Sequence, residues 1–424
     1  MFQLVVLGVF FIFFLGGILV VAIYSSRGSQ NAIQPISVVV WGSLNGGQMR
    51  QAIERLESER KIQITYVQKN ESVFDSGLAE AIVTGEGPDI ILLRQDALPA
   101  NIQKISYVPY DLYSRREFQD TFVESGEIFL SSLGAYAIPF VIDPLVMYWN
   151  RDLFSQKALT NPPQYWDEVF ALAGQLTTFD ANGGVLQSAV ALGAYDNVKN
   201  AKEIISTLFL QGGISITEWN QARTVVTSSL SRDLYAAADA LSFYMQFADA
   251  RKSVRSWTRA LPDSETMFLS NRLAVYFGFA SEVNGLQSRS PNLNFDVALI
   301  PQSRSKAPES VTLGRTYAFA VLNSAEDKLG AFEAVKALTS KGVVEQFSSI
   351  SGIPPARRDI SAPSGDPFQS VFYRSSIISE AWLDPRRDET GFIFKDMIDS
   401  VASGFSTPLD AVGKAEQQLR FVNQ

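Results

Sequence analysis

The sequence predicts an α/β protein of two lobes, preceded by one transmembrane helix. Three observations carry this expectation. The chain has 424 residues, whereas a single hydrophobic core stops growing at roughly 250–300 residues. From residue 36 onward, short β-branched runs alternate with stretches of helical apolar spacing, the pattern of a parallel sheet with helical crossovers. Ahead of them, Leu4 to Tyr24 is a run of 21 residues without a charge.

As a helix, that first run is about 31 Å long, enough to cross the hydrocarbon core of a bilayer. No Lys or Arg precedes it, and no cysteine offers a lipid attachment site. An uncleaved single-pass anchor is therefore expected at residues 1–24 ahead of the alternative, a cleaved signal peptide, and it would hold the remaining chain outside the cytoplasm at the cell membrane. Arg27, after the run, points weakly to the opposite orientation. Residues 25–35 are small and polar and read as a linker.

The lobes begin with a buried strand at Ile36–Trp41. Met49, Ala52, Ile53 and Leu56 then fall at helical spacing, and Ile62, Ile64 and Tyr66 alternate as a second strand. A helix through Leu78–Val83 stops near Gly85, and Gly87-Pro88-Asp89 turns the chain into a strand at Ile90–Leu93. The Asp89 carboxylate is expected to cap backbone groups. Further on, Pro162-Pro163 leads into a helix at Trp166–Leu176 with acids in its first turn. Asp180-Ala181-Asn182-Gly183 reads as a plain turn, because it lacks the later ligands of a calcium loop. Leu234, Ala238, Leu241, Tyr244 and Ala248 mark another helix, Phe295–Ile300 a strand, and Leu329–Leu338 a helix. Thr407-Pro408-Leu409-Asp410 opens the last helix with a capping side chain and a proline at the first position.

Composition narrows the chemistry. Hydrophobic content of 46% with 19% charged residues suits a globular chain. A net charge of −8 argues against nucleic acid as a partner. The chain has no cysteine and no histidine, which removes disulfides, thiolate zinc sites, cysteine nucleophiles and histidine triads. No catalytic residue, cofactor or metal is expected.

Several segments, in order, resemble the family 1 extracellular solute-binding proteins, the maltose-binding-like group of ABC importers. They are Thr84–Ile91, Ala137-Ile138-Pro139-Phe140 with Asp143-Pro144-Leu145, Tyr148–Phe154, Asn161–Glu168, Thr178–Gly184, Asn294–Pro301, Leu313–Phe319, Ser351–Arg357 and Gly404–Ala411. Two places depart from the family pattern: Tyr165 stands where a capping Thr is usual, and Ser270-Asn271-Arg272 replaces a usual glycine. The resemblance implies a periplasmic-binding-protein-like fold with three hinge crossings, near Val141–Leu145, Leu313–Tyr317 and Pro354. The first lobe would then hold residues 36–142 and 317–353, and the second residues 143–316 and 354–424.

The resemblance also implies that a small molecule, a carbohydrate before others, binds in the cleft and passes to the permease subunits of an ABC importer. Open α/β sheets place ligands at the carboxyl ends of their strands, and clefts between domains are favoured sites. Sugars need flat aromatic platforms and polar edges. Trp41, Tyr195, Trp257, Phe279 and Trp382 are the candidate platforms. Ser43, Asn45, Gln95, Asp96, Asp143 and Arg315 are the candidate polar partners, with Arg315 also a possible partner of Asp143. The alternatives are a membrane-anchored sensor or adhesion receptor using the same cleft, and a transport receptor for a polyamine or peptide. A carboxylate glycosidase needs two facing acids about 5–10 Å apart, and no motif pairs any two of the acids so.

Overall fold

The computed structural model describes residues 36–60, 62–220, 225–304, 310–384 and 386–422. The expected anchor and linker at residues 1–35 lie outside these. Among the described residues no helix is long and apolar enough to cross a membrane.

The first lobe is built on Ile36–Gly42, which pairs in parallel with Ile62–Gln68 on one side and Ile90–Arg94 on the other. Thr312–Leu322 then joins antiparallel to Ile90–Arg94. Its side chains alternate between two faces. Ile90, Leu92, Phe319 and Val321 enter one core layer, and Ile91, Leu93, Ala318 and Ala320 the other, as period-2 geometry requires. The second lobe is built on Leu273–Phe279, which pairs in parallel with Val185–Val190 and antiparallel with Ile138–Asn150. Phe295–Ala298 lies on the other edge of that long strand.

Two strands belong to both lobes. Ile138–Asn150 is buried at every position, so its sequence is apolar on both faces, interrupted at Asp143 and Asn150, instead of alternating. It pairs antiparallel with Thr312–Leu322, with Arg315 opposite Asp143. Ile142 and Tyr317 pack in the first lobe's core, Leu145 and Leu313 in the second's. The expected third passage at Pro354 falls later. Ile142 N–H donates to the Pro354 carbonyl, Ala356 N–H to Phe140 and Arg358 N–H to Thr121. Ala356 and Ile360 therefore remain in the first lobe's core. The helix Pro367–Ile377 straddles the boundary, with Tyr373 in the first core and Phe372 in the second.

The lobes also meet away from these strands. Trp219 and Val226 of the hairpin Thr217–Trp219/Val226–Ser228 pack against the first lobe, as does Leu383. The Trp219 ring lies 6.3 Å from Tyr136.

The two departures from the family pattern are locally accommodated. At Tyr165, the Glu168 carboxylate caps the helix Trp166–Leu176 by accepting from the Gln164 and Tyr165 N–H groups. The Arg304 guanidinium covers the Tyr165 ring at 3.8 Å. Asn271 has φ of 60°, the left-handed region that glycine fills most readily and asparagine next.

Candidate functional site

The carboxyl end of Ile90–Arg94 delivers Arg94, Gln95 and Asp96 to the seam between the lobes. Opposite them stand Tyr195, the first turn of the helix Ala201–Gln211, the segment around Trp382 and Asp384, and the first turn of the helix Arg387–Ala402. Arg315, from the shared strand Thr312–Leu322, forms part of the floor. Together they enclose a cleft of about 560 Å3, within the range of small-molecule sites.

Each cleft cation has a carboxylate. Arg94 grips Asp96 through two nitrogens, with Nη2 at 2.6 Å, and reaches Glu71 at 3.1 Å. Arg315 donates to Glu203 at 2.7 Å. Lys202 pairs with Asp384, donates to the Thr390 hydroxyl, and sits 5.3 Å from the Trp382 ring. Arg387 meets Glu71 at 2.5 Å and Asp96 at 3.2 Å.

These pairings set the protonation states. Burial pushes Asp96 upward, but the guanidinium groups of Arg94, Arg387 and Arg315 together outweigh it and hold the carboxyl below its ordinary value. Glu203 is lowered in the same way, burial being overcome chiefly by Arg315. Asp384 is raised, because burial exceeds the pull of Lys202. Burial and then the Glu203 charge push the Tyr195 hydroxyl up to about 12, so it remains a neutral donor at neutral pH.

The cleft brings together Gln95, Asp96, Tyr195, Arg315 and Trp382 of the residues expected from sequence. Trp382 is flanked by Phe394, nearly parallel at 6.1 Å. Gln95 is also structural, since its Oε1 accepts from the Thr316 N–H at 2.8 Å.

The other candidates lie elsewhere. Trp257 is fully buried and donates its indole N–H to Asn197, so it is a core residue. Phe279 is fully buried too, sealed beneath Arg315, whose guanidinium lies 3.5 Å above the ring. The expected platform there is corrected to a cation–π support that orients Arg315. Asn45 caps the helix Gly46–Arg60 by accepting from the Gly47 and Gln48 N–H groups. Trp41 carries the Lys69 ammonium 3.6 Å from its ring and does not line the cleft. Ser43 borders a neighbouring hollow with Lys69, Glu71 and Tyr317.

Asp143 is buried beneath the cleft floor. It accepts from the Ser281 N–H at 2.9 Å and the Ser281 hydroxyl at 2.7 Å. Burial raises it to about 6, against the lowering effects of Ser281 and of the Arg315 charge. Its bond to Ser281 fixes a shared strand to the second lobe, while Arg315 takes Glu203 as its carboxylate. Asp89 accepts from Val39 N–H, and Asp180 accepts from the Asn182 and Gly184 N–H groups in a plain turn. Among the described residues no cluster of His, Cys, Asp or Glu is arranged to hold a metal ion.

Arg94, Lys202, Glu203, Asp384, Arg387 and Phe392 were not singled out from the sequence. One signal was present: Trp382 is followed within seven residues by Asp384, Arg386, Arg387, Asp388 and Glu389. An aromatic beside dense alternating charge is the composition of a polar cleft wall. Phe392 reads as one apolar position of an amphipathic helix, yet its ring is 71% exposed at the cleft.

Comparison with known proteins agrees with this architecture. A protein of Brucella abortus (strain 2308), whose name says that it is a binding protein, is 24% identical over 293 residues. That match spans 66% of each chain, just under two thirds of the relative's length. A cyclo/maltodextrin-binding protein solved with maltotetraose superposes with a TM-score of 0.73 at 16% identity, covering 92% of this chain and 98% of that one. The cyclic α-maltosyl-1,6-maltose binding protein of Arthrobacter globiformis gives 0.75 at 17% identity, covering 92% and 99%. An extracellular solute-binding protein of Staphylococcus aureus, solved with maltose, gives 0.70 at 15%, covering 91% and 97%. At these identities the structural likeness shows the two-lobed fold. The family model described as bacterial extracellular solute-binding protein matches residues 51–370, and the chain belongs to that family.

Proposed function

We propose that this protein is the extracytoplasmic receptor for a neutral carbohydrate and delivers it to the permease subunits of an ABC importer. The observation that carries the reading is the self-neutralised cleft with aromatic faces. Its lining has four cations, Arg94, Lys202, Arg315 and Arg387, and four carboxylates, Asp96, Glu203, Asp384 and Asp388. A site for an anion keeps a cation free for it, and here each cation already holds a carboxylate. Paired charges still present donors and acceptors to hydroxyl groups. Tyr195 and Phe392 supply the apolar surface for the C–H faces of a sugar, while Trp382, 7% exposed, adds only the small unburied part of its ring.

The solved neighbours support the ligand class, with maltotetraose, maltose and mannobiose among the sugars they hold. The charge-free run Leu4–Tyr24 would tether the receptor at the membrane beside its permease.

The test is thermal unfolding against a panel of neutral mono- and oligosaccharides, sugar phosphates, spermidine and peptides. A ligand at about 100 times its Kd adds ~2.7 kcal/mol to the folded state. A neutral saccharide is expected to raise the melting temperature. Tight binding of spermidine or a peptide, with no response to any sugar, would reject the carbohydrate reading.

A further inference from the structure

The cleft adjoins a second cavity of about 640 Å3, and Arg387 stands between the two. Arg387, Asp96, Asp384 and Asp388 line both. Arg387 is the first residue of its helix in the second lobe. Its guanidinium reaches the first lobe at Glu71 (2.5 Å) and Asp96 (3.2 Å). Arg94 approaches the same two carboxylates from the first lobe's side, at 3.1 and 2.6 Å. The four side chains thus form a closed ring of alternating charge across the cleft.

The two arginines are held differently. The Arg94 side chain is 10% exposed and packed at the strand end, while that of Arg387 is 31% exposed and Glu71 39%. The Arg387–Glu71 pair has this solvent access and is weak, so a ligand's hydroxyl groups can replace it, while Asp96, 9% exposed, keeps Arg94 as its partner when Arg387 leaves. The two cavities also differ in lining. The first has the aromatic faces, and the second has none. It offers instead the carboxylates of Glu71, Asp75 and Glu389 as acceptors.

We infer that Arg387 is a length-determining residue: in place, it confines the ligand to the aromatic cavity, and displaced, it joins the two cavities into one longer groove. This rests on the carbohydrate reading above. The native protein would favour short saccharides, whose whole length the aromatic cavity holds. A longer chain must displace Arg387 from both carboxylates to seat its end among the acids of the second cavity.

Calorimetry with two homologous pairs, maltose against maltotetraose and mannobiose against mannotriose, tests this on the native protein, Arg387→Ala and Glu71→Gln. Arg387→Ala should raise the long-to-short affinity ratio by about tenfold or more, as removal of a steric and electrostatic barrier does. Glu71→Gln loosens Arg387 from the first lobe and should move the ratio in the same direction by less. It keeps the question answerable if Arg387→Ala folds poorly. Saccharide binding with an unchanged ratio in both variants overturns the inference and leaves the carbohydrate reading standing. Failure of every saccharide to bind any of the three proteins overturns the reading, and the inference with it.

Discussion

The two walls of the cleft are built on different plans. The first lobe contributes one strand end, three consecutive residues, Arg94, Gln95 and Asp96, all polar and all tied into bonds. The second lobe contributes residues from separate stretches of chain, and every aromatic side chain in the lining comes from it. One wall is a pre-set polar edge, and the other is a platform whose charges are paired partly on its own side, as Lys202 is with Asp384, and partly across the cleft, as Arg387 is with Glu71 and Asp96. Fixed polar edges orient a ligand, whereas apolar platforms supply most of the binding energy. Affinity should therefore respond to changes in the second wall, and orientation to changes in the first.

Substitutions can break this contrast. The largest effect concerns the boundary between platform and core. Trp257 is fully buried in the second lobe, so Trp257→Ala should cost about 3–5 kcal/mol of stability, read by denaturant unfolding. A stable variant that loses only ligand binding would return Trp257 to the cleft. Next is Phe392→Ala. The ring is exposed, so folding should be unaffected while saccharide affinity falls about tenfold, ~1.4 kcal/mol. Unchanged affinity by calorimetry would remove Phe392 from the platform.

Asp143 tests the hinge beneath both walls. Its folded value is about 6, against 3.8 ordinarily. Between those values the folded state holds more protons than the unfolded one, so ionising Asp143 costs stability as pH rises through that window. Asp143→Asn is spared the cost. Its stability relative to the native protein should improve by about 1–3 kcal/mol from pH 4 to pH 7. A difference that stays flat across this range would show that the carboxyl is not shifted. The smallest effect is expected at Trp41, which lies under Lys69 and away from the cleft. Trp41→Ala should weaken saccharide binding by less than about threefold, and a tenfold loss would place the first lobe's platform there after all.

The same contrast explains what was legible beforehand. Short-range signals predict local elements. The helix Trp166–Leu176 runs between the residues its acids and apolar spacing indicate, and Gly87-Pro88-Asp89 marks the entry to Ile90–Arg94. Because the first wall is a single strand end, Gln95 and Asp96 follow from finding that strand. The second wall is assembled from distant stretches, so its charges carry no spacing that links them. Lys202 meets Asp384 across 182 positions of sequence. Trp257 stands among Arg255, Ser256, Thr258 and Arg259, and Trp382 just ahead of Asp384, Arg386 and Arg387, so both are tryptophans in polar sequence and only packing distinguishes a core indole from one beside the cleft. The third passage lies later than Pro354 for a related reason. Pro354 marks a turn, but the backbone bonds of residues 354–358 to Phe140, Ile142 and Thr121 keep it on the first lobe.

The most direct test is a crystal structure of the protein with the saccharide that stabilises it most. The expected result is the sugar between the lobes, with its ring faces on Tyr195 and Phe392 and its hydroxyl groups on Arg94, Asp96 and Glu203. A sugar bound instead in the separate hollow between Tyr165 and Arg374 on the second lobe, with the interlobe ion pairs intact and nothing between them, would contradict it.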